Sequence, residues 1–168
     1  MTPTTHSFDP ADADGRTFRD ALGRYATGVT VITCATPTGP LGITANSFAS
    51  VSLEPPLVLW SPAKSSSRYP FFMAAERFAI HVLGAEQIAL CDAFARTGDA
   101  FDAFEWHHGP QDVPLIEGCL SRFECRQIAA HDAGDHSVLL GHVERVTTRI
   151  GAPLLFHTGQ YGIFAVRD

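Results

Sequence analysis

Short runs of β-branched residues, separated by turns, constrain the fold of this chain more than any other feature of its sequence. The run Val29–Thr33 is β-branched throughout, which favours a strand. Pro37, Gly39 and Pro40 follow it and predict a turn, so Leu41–Ala45 is expected to return as the second arm of a hairpin. This pattern is typical of an antiparallel sheet.

The rest of the chain continues the pattern. Further strands are predicted at Leu57–Ser61, Phe78–Leu83, Arg122–Ile128, Val138–Thr147 and Gly162–Val166. Turns join most of these segments, and regular crossover helices do not, which disfavours a doubly wound parallel sheet. The sequence therefore predicts a mainly β fold, an antiparallel barrel with a few flanking helices.

Three segments are predicted to be helical. In the first, Phe18, Leu22 and Tyr25 recur at helical spacing, Asp14 is placed to cap the start, and Gly28 is expected to end the helix. The other two segments are Ser66–Ala75 and Glu86–Ala95. Residues 1–14 are polar and are predicted to be a flexible N-terminal segment, followed by one domain over residues 15–168.

The charge and hydropathy patterns limit the possible partners. Twelve Lys and Arg against 18 Asp and Glu give a formal net charge of -6, and the basic residues are scattered singly. A nucleic-acid binder normally carries a basic stripe, so we expect no nucleic-acid partner. No stretch is long or apolar enough to cross a bilayer, so no membrane association is predicted.

The cysteines and the N-terminus suggest a compartment. Cys34, Cys91, Cys119 and Cys125 form no CxxC pair and show no tight disulfide-like spacing. The segment Met1–Asp14 lacks the basic start and apolar run of a signal peptide. We therefore expect buried, reduced thiols in a cytoplasmic protein.

Common catalytic and nucleotide-binding motifs are missing from the sequence. It contains no GxGxxG, no P-loop, no GxSxG and no HExxH. A dinucleotide is therefore not expected to bind in the manner of a Rossmann fold. The eight histidines lack the paired spacing of zinc sites, so no metal site is predicted.

A first polar stretch closes the predicted hairpin. Thr44, Asn46 and Ser47 crowd the end of a strand that otherwise faces an apolar core, and Ser50 and Ser52 follow. Their hydroxyl and amide groups can donate and accept hydrogen bonds, as recognition of a flat heterocycle with imide groups requires. An ordinary turn with local side-chain to backbone bonds is the alternative interpretation.

A second polar stretch, Ser61–Arg68, lies between a strand and a predicted helix. Three serines flanked by Lys64 and Arg68 at a helix N-terminus would suit a phosphate group, because free N–H groups, hydroxyls and cations all favour an anion. A capped, solvated loop explains the same residues equally well.

Two further positions are candidates for contact with a ligand. His136, in Gly134–Ser137 just before an apolar strand, can bond a cofactor ring or a carboxamide; alternatively, Asp135 simply fixes it in a turn. Tyr161 can stack on a ring or pack in the core.

These stretches, taken in order, resemble the flavin reductase family: the short-chain reductase components of two-component flavin monooxygenases, built on the FMN-binding split barrel. The matching segments include Phe18-Arg19, Ala26–Val31, Gly42–Phe48, Ser50–Leu57, Phe94-Ala95, Gly134–His136, Gly141–Val143 and Pro153-Leu154 before Tyr161. The resemblance extends from about Thr17 to Phe164. It implies an antiparallel split β-barrel that forms a homodimer, with a flavin near each subunit interface.

The resemblance also implies roles for individual residues. The isoalloxazine ring and ribityl chain of the flavin would be lined by Thr44, Ala45, Asn46, Ser47, Ser50, Val51 and Ser52. The flavin phosphate would lie at Ser61, Lys64, Ser65, Ser66 and Ser67. His136 would be the catalytic residue near the flavin and the nicotinamide, and Tyr161 would close the pocket.

The expected activity is an NAD(P)H:flavin oxidoreductase. Hydride would pass from NADH or NADPH to FMN or FAD, and reduced flavin would leave for a separate monooxygenase. Such chemistry needs stacked rings and exclusion of water, and no strong nucleophile or base. Two alternatives stay open: a split-barrel flavoprotein that keeps FMN tightly and acts on its own substrate, and a non-catalytic flavin- or haem-binding module.

Overall fold

The computed structural model describes residues 5–166. Three α-helices are present in this range: α1 (Gly15–Leu22), α2 (Tyr69–Ala74) and α3 (Ile88–Arg96). Its twelve strands are β1 (Thr27–Gly28), β2 (Thr30–Thr36), β3 (Gly39–Ala45), β4 (Ala49–Leu53), β5 (Pro56–Trp60), β6 (Arg77–Val82), β7 (Trp106–His108), β8 (Pro114–Ile116), β9 (Ser121–Ala133), β10 (His136–Thr148), β11 (Leu154–His157) and β12 (Gln160–Ile163). Short 3-10 helices span Ala85–Gln87, Ala100–Ala103 and Pro110–Asp112.

Seven strands form one sheet in the order β3-β2-β6-β9-β10-β5-β4, and every neighbouring pair in it is antiparallel. A flat sheet would separate its outermost strands by about 29 Å, at roughly 4.8 Å per strand. Yet β3 and β4 are consecutive in the chain, and the link 46–48 between them can span only about 14 Å. The sheet must therefore curl until its two edges face each other across a seam, as in a split barrel.

The packing of the core explains the composition of β2, in which every residue is apolar or β-branched. Ile32 and Cys34 face one buried cluster inside the sheet, around Trp60. Val31 belongs to a second cluster on the opposite face, where α3 contributes Phe94. Because β2 is buried on both faces, its residues are apolar or β-branched at every position instead of alternating with polar ones.

The fold class and most predicted elements agree with the structure. The mainly β antiparallel architecture is confirmed, and Asp14 caps α1 by accepting the Thr17 N–H at 2.7 Å. The helix ends at Leu22, well before Gly28. The reason is tertiary: the chain turns at Gly23, whose carbonyl accepts the Thr158 N–H at 2.9 Å, and then pairs as β1 with β11.

Other element boundaries differ from the predicted ones, and five strands were not predicted. Helix α2 begins at Tyr69, three residues after the predicted start, and β12 ends at Ile163. The strands that were not predicted are β1, β4, β7, β8 and β11. The boundary between an N-terminal segment of residues 1–14 and a domain of residues 15–168 stays a prediction, and residues 1–4 and 167–168 lie outside the described range.

Candidate functional site

The first predicted stretch lies at the seam between β3 and β4. Both strands are edges of the large sheet, so one side of each is without a strand partner in that sheet. The α3 region covers part of the β3 edge, since the Gly42 N–H donates to the Gly98 carbonyl at 2.9 Å. The β4 edge offers backbone donors and acceptors beside the exposed Ser50 and Val51.

The side chains of Thr44 and Ala45 are engaged within the protein. Thr44 Oγ1 donates to the Cys91 carbonyl at 2.7 Å and so ties β3 to α3. Ala45 packs against the interior cluster, and its carbonyl accepts the Thr30 hydroxyl at 2.7 Å. Thr44 and Ala45 would therefore contact a ligand through their remaining backbone groups and exposed surface. Their hydrogen bonds within the protein hold the end of β3 in place.

Ser47 joins the seam to the second predicted stretch. Its hydroxyl accepts the Ser61 N–H at 2.9 Å and approaches the Ser61 carbonyl at 3.3 Å. The end of β3 and the end of β5 are thereby held together, although they are 14 residues apart in sequence. Two stretches predicted separately thus form one continuous polar region.

Asn46 faces outward on the other side of the seam. It is exposed, and its Nδ2 lies 3.3 Å from the Thr27 hydroxyl. It borders an open groove of about 780 Å³ between the end of α1 and the β11–β12 turn. Tyr25 and Phe156 give this groove aromatic surface, and Arg19 and Arg24 give it positive charge.

The serine-rich loop is arranged differently from the prediction. Because α2 has only six residues and begins at Tyr69, the serines precede the helix and do not form its N-terminus. Ser65 and Ser67 are exposed, and Ser66 Oγ accepts the Arg68 N–H at 3.2 Å. Attraction for an anion in this loop therefore depends on Lys64 and on free hydroxyls.

Arg68, a candidate phosphate ligand by its charge, is engaged elsewhere. Its Nη1 donates to the carbonyls of Phe94 at 2.6 Å and Gly42 at 3.2 Å, and its Nη2 lies 3.4 Å from the Ala95 carbonyl. A cation beside the last carbonyls of a helix is a favourable arrangement. Arg68 thus ends α3 and fastens it to β3.

Lys64 contacts the turn between β9 and β10. Its Nζ lies 2.5 Å from Asp132 Oδ2 and 2.6 Å from the Gly134 carbonyl, and its backbone N–H donates to the Asp135 carbonyl at 2.9 Å. The hydrogen bond to Asp132 raises the pKa of Lys64, so the ammonium stays charged at neutral pH. The loop after β5 is therefore docked on the turn that carries His136.

His136 opens β10 at this turn. Gly134 adopts a φ of +73°, a conformation that glycine reaches without strain, and the two strands reverse there. The His136 ring is partly exposed, and its Nδ1 lies 2.8 Å from Asp135 Oδ1. A backbone β-bridge between Ala63 and His136 places the start of β10 beside the Lys64 loop.

Tyr161 lies on β12, in the three-stranded sheet β1-β11-β12. Its hydroxyl is 3.2 Å from the Cys91 Sγ, and its ring packs at 5.3 Å from Phe156. The hydrogen bond with Cys91, followed by burial, raises the pKa of Tyr161 to about 12. Since Thr44 contacts the Cys91 carbonyl, α3 connects Tyr161 to the seam.

The structure thus links most of the predicted site residues into two groups, and the three residues of β4 belong to neither. One group runs from Ser47 through Ser61 to Lys64 and His136, and a second links Thr44 to Tyr161 through α3. On β4, Ser50 and Ser52 pair with Val58 and Leu57 across a bulge at Val51, and the three side chains make no hydrogen bond within residues 5–166 to the other predicted residues.

Three residues of this region were not singled out from the sequence. They are Thr27, Cys91 and Asp132, which contact Asn46, Tyr161 and Lys64 respectively. Thr27 lies within the matching segment Ala26–Val31, a signal that could have found it. The other two are remote in sequence from the residues they contact, and nothing in the pattern marks them.

Comparison with known proteins decides the family. The model of the flavin reductase like domain matches residues 22–165. The chain is 56% identical over 163 residues to the FMN reductase (NADH) SmoA of Agrobacterium fabrum, covering 97% of this chain and 94% of that protein. The chain belongs to the flavin reductase family.

Other members agree with this assignment. The reductase subunit HsaB of a flavin-dependent monooxygenase from Rhodococcus jostii is 40% identical over 150 residues, or 88% of this chain and 77% of that protein. The NADH:FAD oxidoreductase SgcE6 of Streptomyces globisporus superposes with a TM-score of 0.91 at 36% identity, covering 100% of this chain and 96% of the other; a structure of it with NAD and FAD fragments also matches.

Family membership confirms several of the predictions. The chain is a flavin reductase, an oxidoreductase whose cofactors are a flavin and a nicotinamide dinucleotide, and its fold is that of the family.

Within residues 5–166, no helix has the length and apolar character needed to cross a membrane. Over the same range, no three His, Cys, Asp or Glu side chains are grouped to hold a metal ion.

Proposed function

We propose that this flavin reductase takes hydride from NADH or NADPH, passes it to FMN or FAD, and releases the reduced flavin to a separate monooxygenase. The observation that carries the proposal is the continuous polar region running from the seam at Ser47 to Lys64 and His136. The names of the relatives support it, since they include an NADH-dependent FMN reductase, an NADH:FAD oxidoreductase and a reductase subunit of a flavin-dependent monooxygenase.

The residues of this region fit a flavin. Its pyrimidine edge carries both donors and acceptors, and the β4 edge and the exposed Asn46 amide supply both kinds of group. A flavin phosphate needs a cation and hydroxyls, which Lys64, Ser65 and Ser67 supply in an exposed loop. The ring system needs an apolar or aromatic surface, and Tyr161 provides one.

We assign the residues accordingly. The ring and ribityl chain would contact Thr44, Ala45, Asn46, Ser47, Ser50, Val51 and Ser52, and Tyr161 would close the site. The phosphate would bind at Ser61, Lys64, Ser65, Ser66 and Ser67. Among these, Ser47 and Ser61 also position each other, because their hydrogen bonds hold the ring-binding seam against the phosphate-binding loop.

His136 would be the catalytic residue. The flavin held at the seam would supply the hydride-accepting chemistry, and the protein would contribute by aligning its ring with the nicotinamide and excluding water. With Nδ1 directed at Asp135, the Nε2 of His136 is the ring nitrogen available to a ligand. In the neutral ring, Nε2 would accept a hydrogen bond from the nicotinamide carboxamide and so orient it. In the protonated ring, Nε2 would donate and stabilise negative charge on the reduced flavin.

Steady-state oxidation of NADH and NADPH, followed at 340 nm with FMN, FAD or riboflavin added to the purified protein, tests the proposed function. Turnover that saturates with one free flavin supports a reductase that releases its product and names both substrates. A yellow protein with poor turnover of added flavin would favour the flavoprotein with tightly bound FMN. Bound flavin without any nicotinamide oxidation would favour a non-catalytic flavin-binding module.

We also propose that the chain forms a homodimer through α1 and β12. The β11–β12 turn contacts the end of α1 through the Thr158 to Gly23 hydrogen bond, and Leu22 at the end of this helix and Tyr25 after it are exposed at 59% and 79%. Ile163, at the end of β12, is exposed at 66%. Among residues 5–166, strand β12 pairs with β11 alone, which leaves its other edge without a strand partner. Apolar side chains beside an open strand edge favour association with a second copy.

Light scattering coupled to size-exclusion chromatography tests the dimer. Ile163→Asp is expected to yield monomers, because it places a charge in the interface. Ile150→Asp, at a fully exposed position after β10, is the matched control and should leave the mass unchanged. A monomeric wild-type protein would contradict the proposal.

The cytoplasm is the proposed compartment. All four cysteines are unpaired thiols, and burial raises the pKa of Cys34 and Cys125 to about 12. Such thiols are typical of a reducing environment, where reduced nicotinamide dinucleotides are also available. Cell fractionation with activity assays would test this assignment.

A further inference from the structure

Lys64, the proposed phosphate cation, has a competing anion in the β9–β10 hairpin. Lys64 is the only lysine in the sequence, and its Nζ lies 2.5 Å from Oδ2 of Asp132. The side chain of Lys64 is 35% exposed and that of Asp132 is 80% exposed, so the pair lies at the surface. An incoming phosphate could therefore reach the same ammonium from solvent.

Backbone contacts hold this pair in position. The Gly134 N–H lies 3.4 Å from Asp132 Oδ1, and the Gly134 carbonyl is the second acceptor of the Lys64 ammonium, at 2.6 Å. The Lys64 N–H is bonded to the Asp135 carbonyl. Because the loop and the turn are joined through their backbones, the Lys64 side chain can change partner without separating them.

We propose that Asp132 sets the affinity for phosphorylated flavins by competing with the flavin phosphate for Lys64. The inference rests on the proposed function, which places the phosphate at Lys64 and requires reduced flavin to leave. A carboxylate and a phosphate are both oxyanions that accept hydrogen bonds from an ammonium. A flavin phosphate bound through Lys64 would weaken or displace the Asp132 contact, and that contact would form again when the flavin leaves.

The expected size of the effect follows from the exposure of the pair. Exposed ion pairs contribute roughly 0.2–1 kcal/mol, so removal of the competitor should tighten binding by about 1.5- to 5-fold. Salt screens such interactions, and the gain should therefore shrink as ionic strength rises. Riboflavin shares the ring and ribityl chain of FMN but lacks the phosphate, so its affinity should not respond.

The test compares FMN with riboflavin in Asp132→Asn. Binding is measured by quenching of flavin fluorescence at low and at high salt, with the full chain. We expect the dissociation constant for FMN to fall by about 1.5- to 5-fold at low salt, while that for riboflavin is unchanged. Asp112→Asn, another exposed carboxylate, controls for the change in net charge and should leave the ratio of the two constants as in the wild type.

Lys64→Met separates this inference from the proposed function. If Lys64→Met weakens FMN binding relative to riboflavin, and Asp132→Asn has no effect in that background, Asp132 acts through Lys64 as proposed. If Lys64→Met weakens FMN binding but Asp132→Asn does not tighten it, the competition is overturned while the phosphate assignment survives. If Lys64→Met leaves the FMN to riboflavin ratio unchanged, the phosphate assignment fails and the inference fails with it.

Discussion

The imidazole of His136 is held by its sequence neighbour: Nδ1 lies 2.8 Å from Oδ1 of Asp135. This contact lowers the pKa of Asp135, so the carboxylate stays ionised at neutral pH and can accept a hydrogen bond from the Nδ1–H group. The ring is thereby oriented with Nε2 available, beside the loop that carries Lys64. Orientation of a histidine by a carboxylate is a recurring way to present one nitrogen to a ligand.

His136→Ala should slow hydride transfer more than it weakens flavin binding. Loss of an oriented hydrogen bond near the reacting rings is expected to lower the rate by roughly tenfold or more. Stopped-flow reduction of the flavin under single-turnover conditions measures the rate, and fluorescence quenching measures the affinity. His131→Ala, an exposed histidine in the same hairpin, is the control. Unchanged reduction rates in His136→Ala would reject the assignment.

Ser47→Ala should affect stability and flavin affinity together. The substitution removes the acceptor of the Ser61 N–H, a loss of about 1 kcal/mol in the free energy of unfolding, which corresponds to roughly 2–4 °C in Tm. Ser50→Ala, at an exposed position on β4, is expected to weaken flavin binding with no change in Tm. Calorimetry and fluorescence titration check the pair. Equal Tm values for the two variants would contradict the bridging role of Ser47.

Arg68→Met should destabilise the fold and leave phosphate recognition intact. Its guanidinium bonds to the carbonyls of Phe94 and Gly42, and loss of charge-assisted bonds of this kind lowers the free energy of unfolding by about 2 kcal/mol. Arg96→Met, an exposed residue at the end of α3, is the control. Urea denaturation measures the stability, and the FMN to riboflavin affinity ratio measures phosphate recognition. A lowered ratio with unchanged stability would restore the phosphate role of Arg68.

His81 should make the stability of the protein depend on pH. It is fully buried, with Nδ1 3.0 Å from the Val31 carbonyl and Nε2 accepting the Ile116 N–H at 3.0 Å, and burial lowers its pKa from 6.5 to about 3. The folded pKa lies below the unfolded one, so the unfolded chain takes up the proton first. The stabilisation is complete above about pH 6.5 and is lost as the pH falls toward 3, by up to about 1.4 kcal/mol per pH unit.

His81→Gln tests this linkage. The variant should be less stable at pH 7, by roughly 1–3 kcal/mol, because the flexible amide of glutamine does not reproduce the fixed spacing of the two ring nitrogens between the Val31 carbonyl and the Ile116 N–H. Its stability should fall less steeply than that of the wild type between pH 6 and 4. Urea denaturation across this range provides the comparison, with His131→Gln as an exposed control that keeps the wild-type slope. Parallel slopes for His81→Gln and the wild type would contradict the prediction.

Elements whose signal is local were predictable from the sequence. The β2–β3 hairpin follows from its β-branched run and the turn residues after it, and the α1 cap follows from Asp14. Strand β4 escaped prediction because its segment Ala49–Leu53 is short and rich in serine, and it becomes a strand only by pairing with β5. Strands β7 and β8 have three residues each, too few for any periodicity to be recognised.

The residues of the candidate site also fall into two classes, those that the sequence marked and those whose contacts only the tertiary structure revealed. The sequence, with its resemblance to a family, supplied the residue types and marked Asn46, Lys64 and His136. It could not place Arg68, because a charge beside serines suggests a phosphate ligand equally well whether or not backbone carbonyls engage it. Nor could it pair Lys64 with Asp132, 68 positions away.

The sequence by itself determined the β-rich antiparallel class, the β2–β3 hairpin and the polar character of the site, because these depend on neighbours within a few positions. The tertiary structure alone decided that the seam at Ser47 meets the loop at Ser61, that Arg68 ends α3, and that Asp132 faces Lys64. Those contacts arise when the seven-stranded sheet curls and brings distant segments together. Local propensity carries no information about such closure, since it depends on the packing of the whole core.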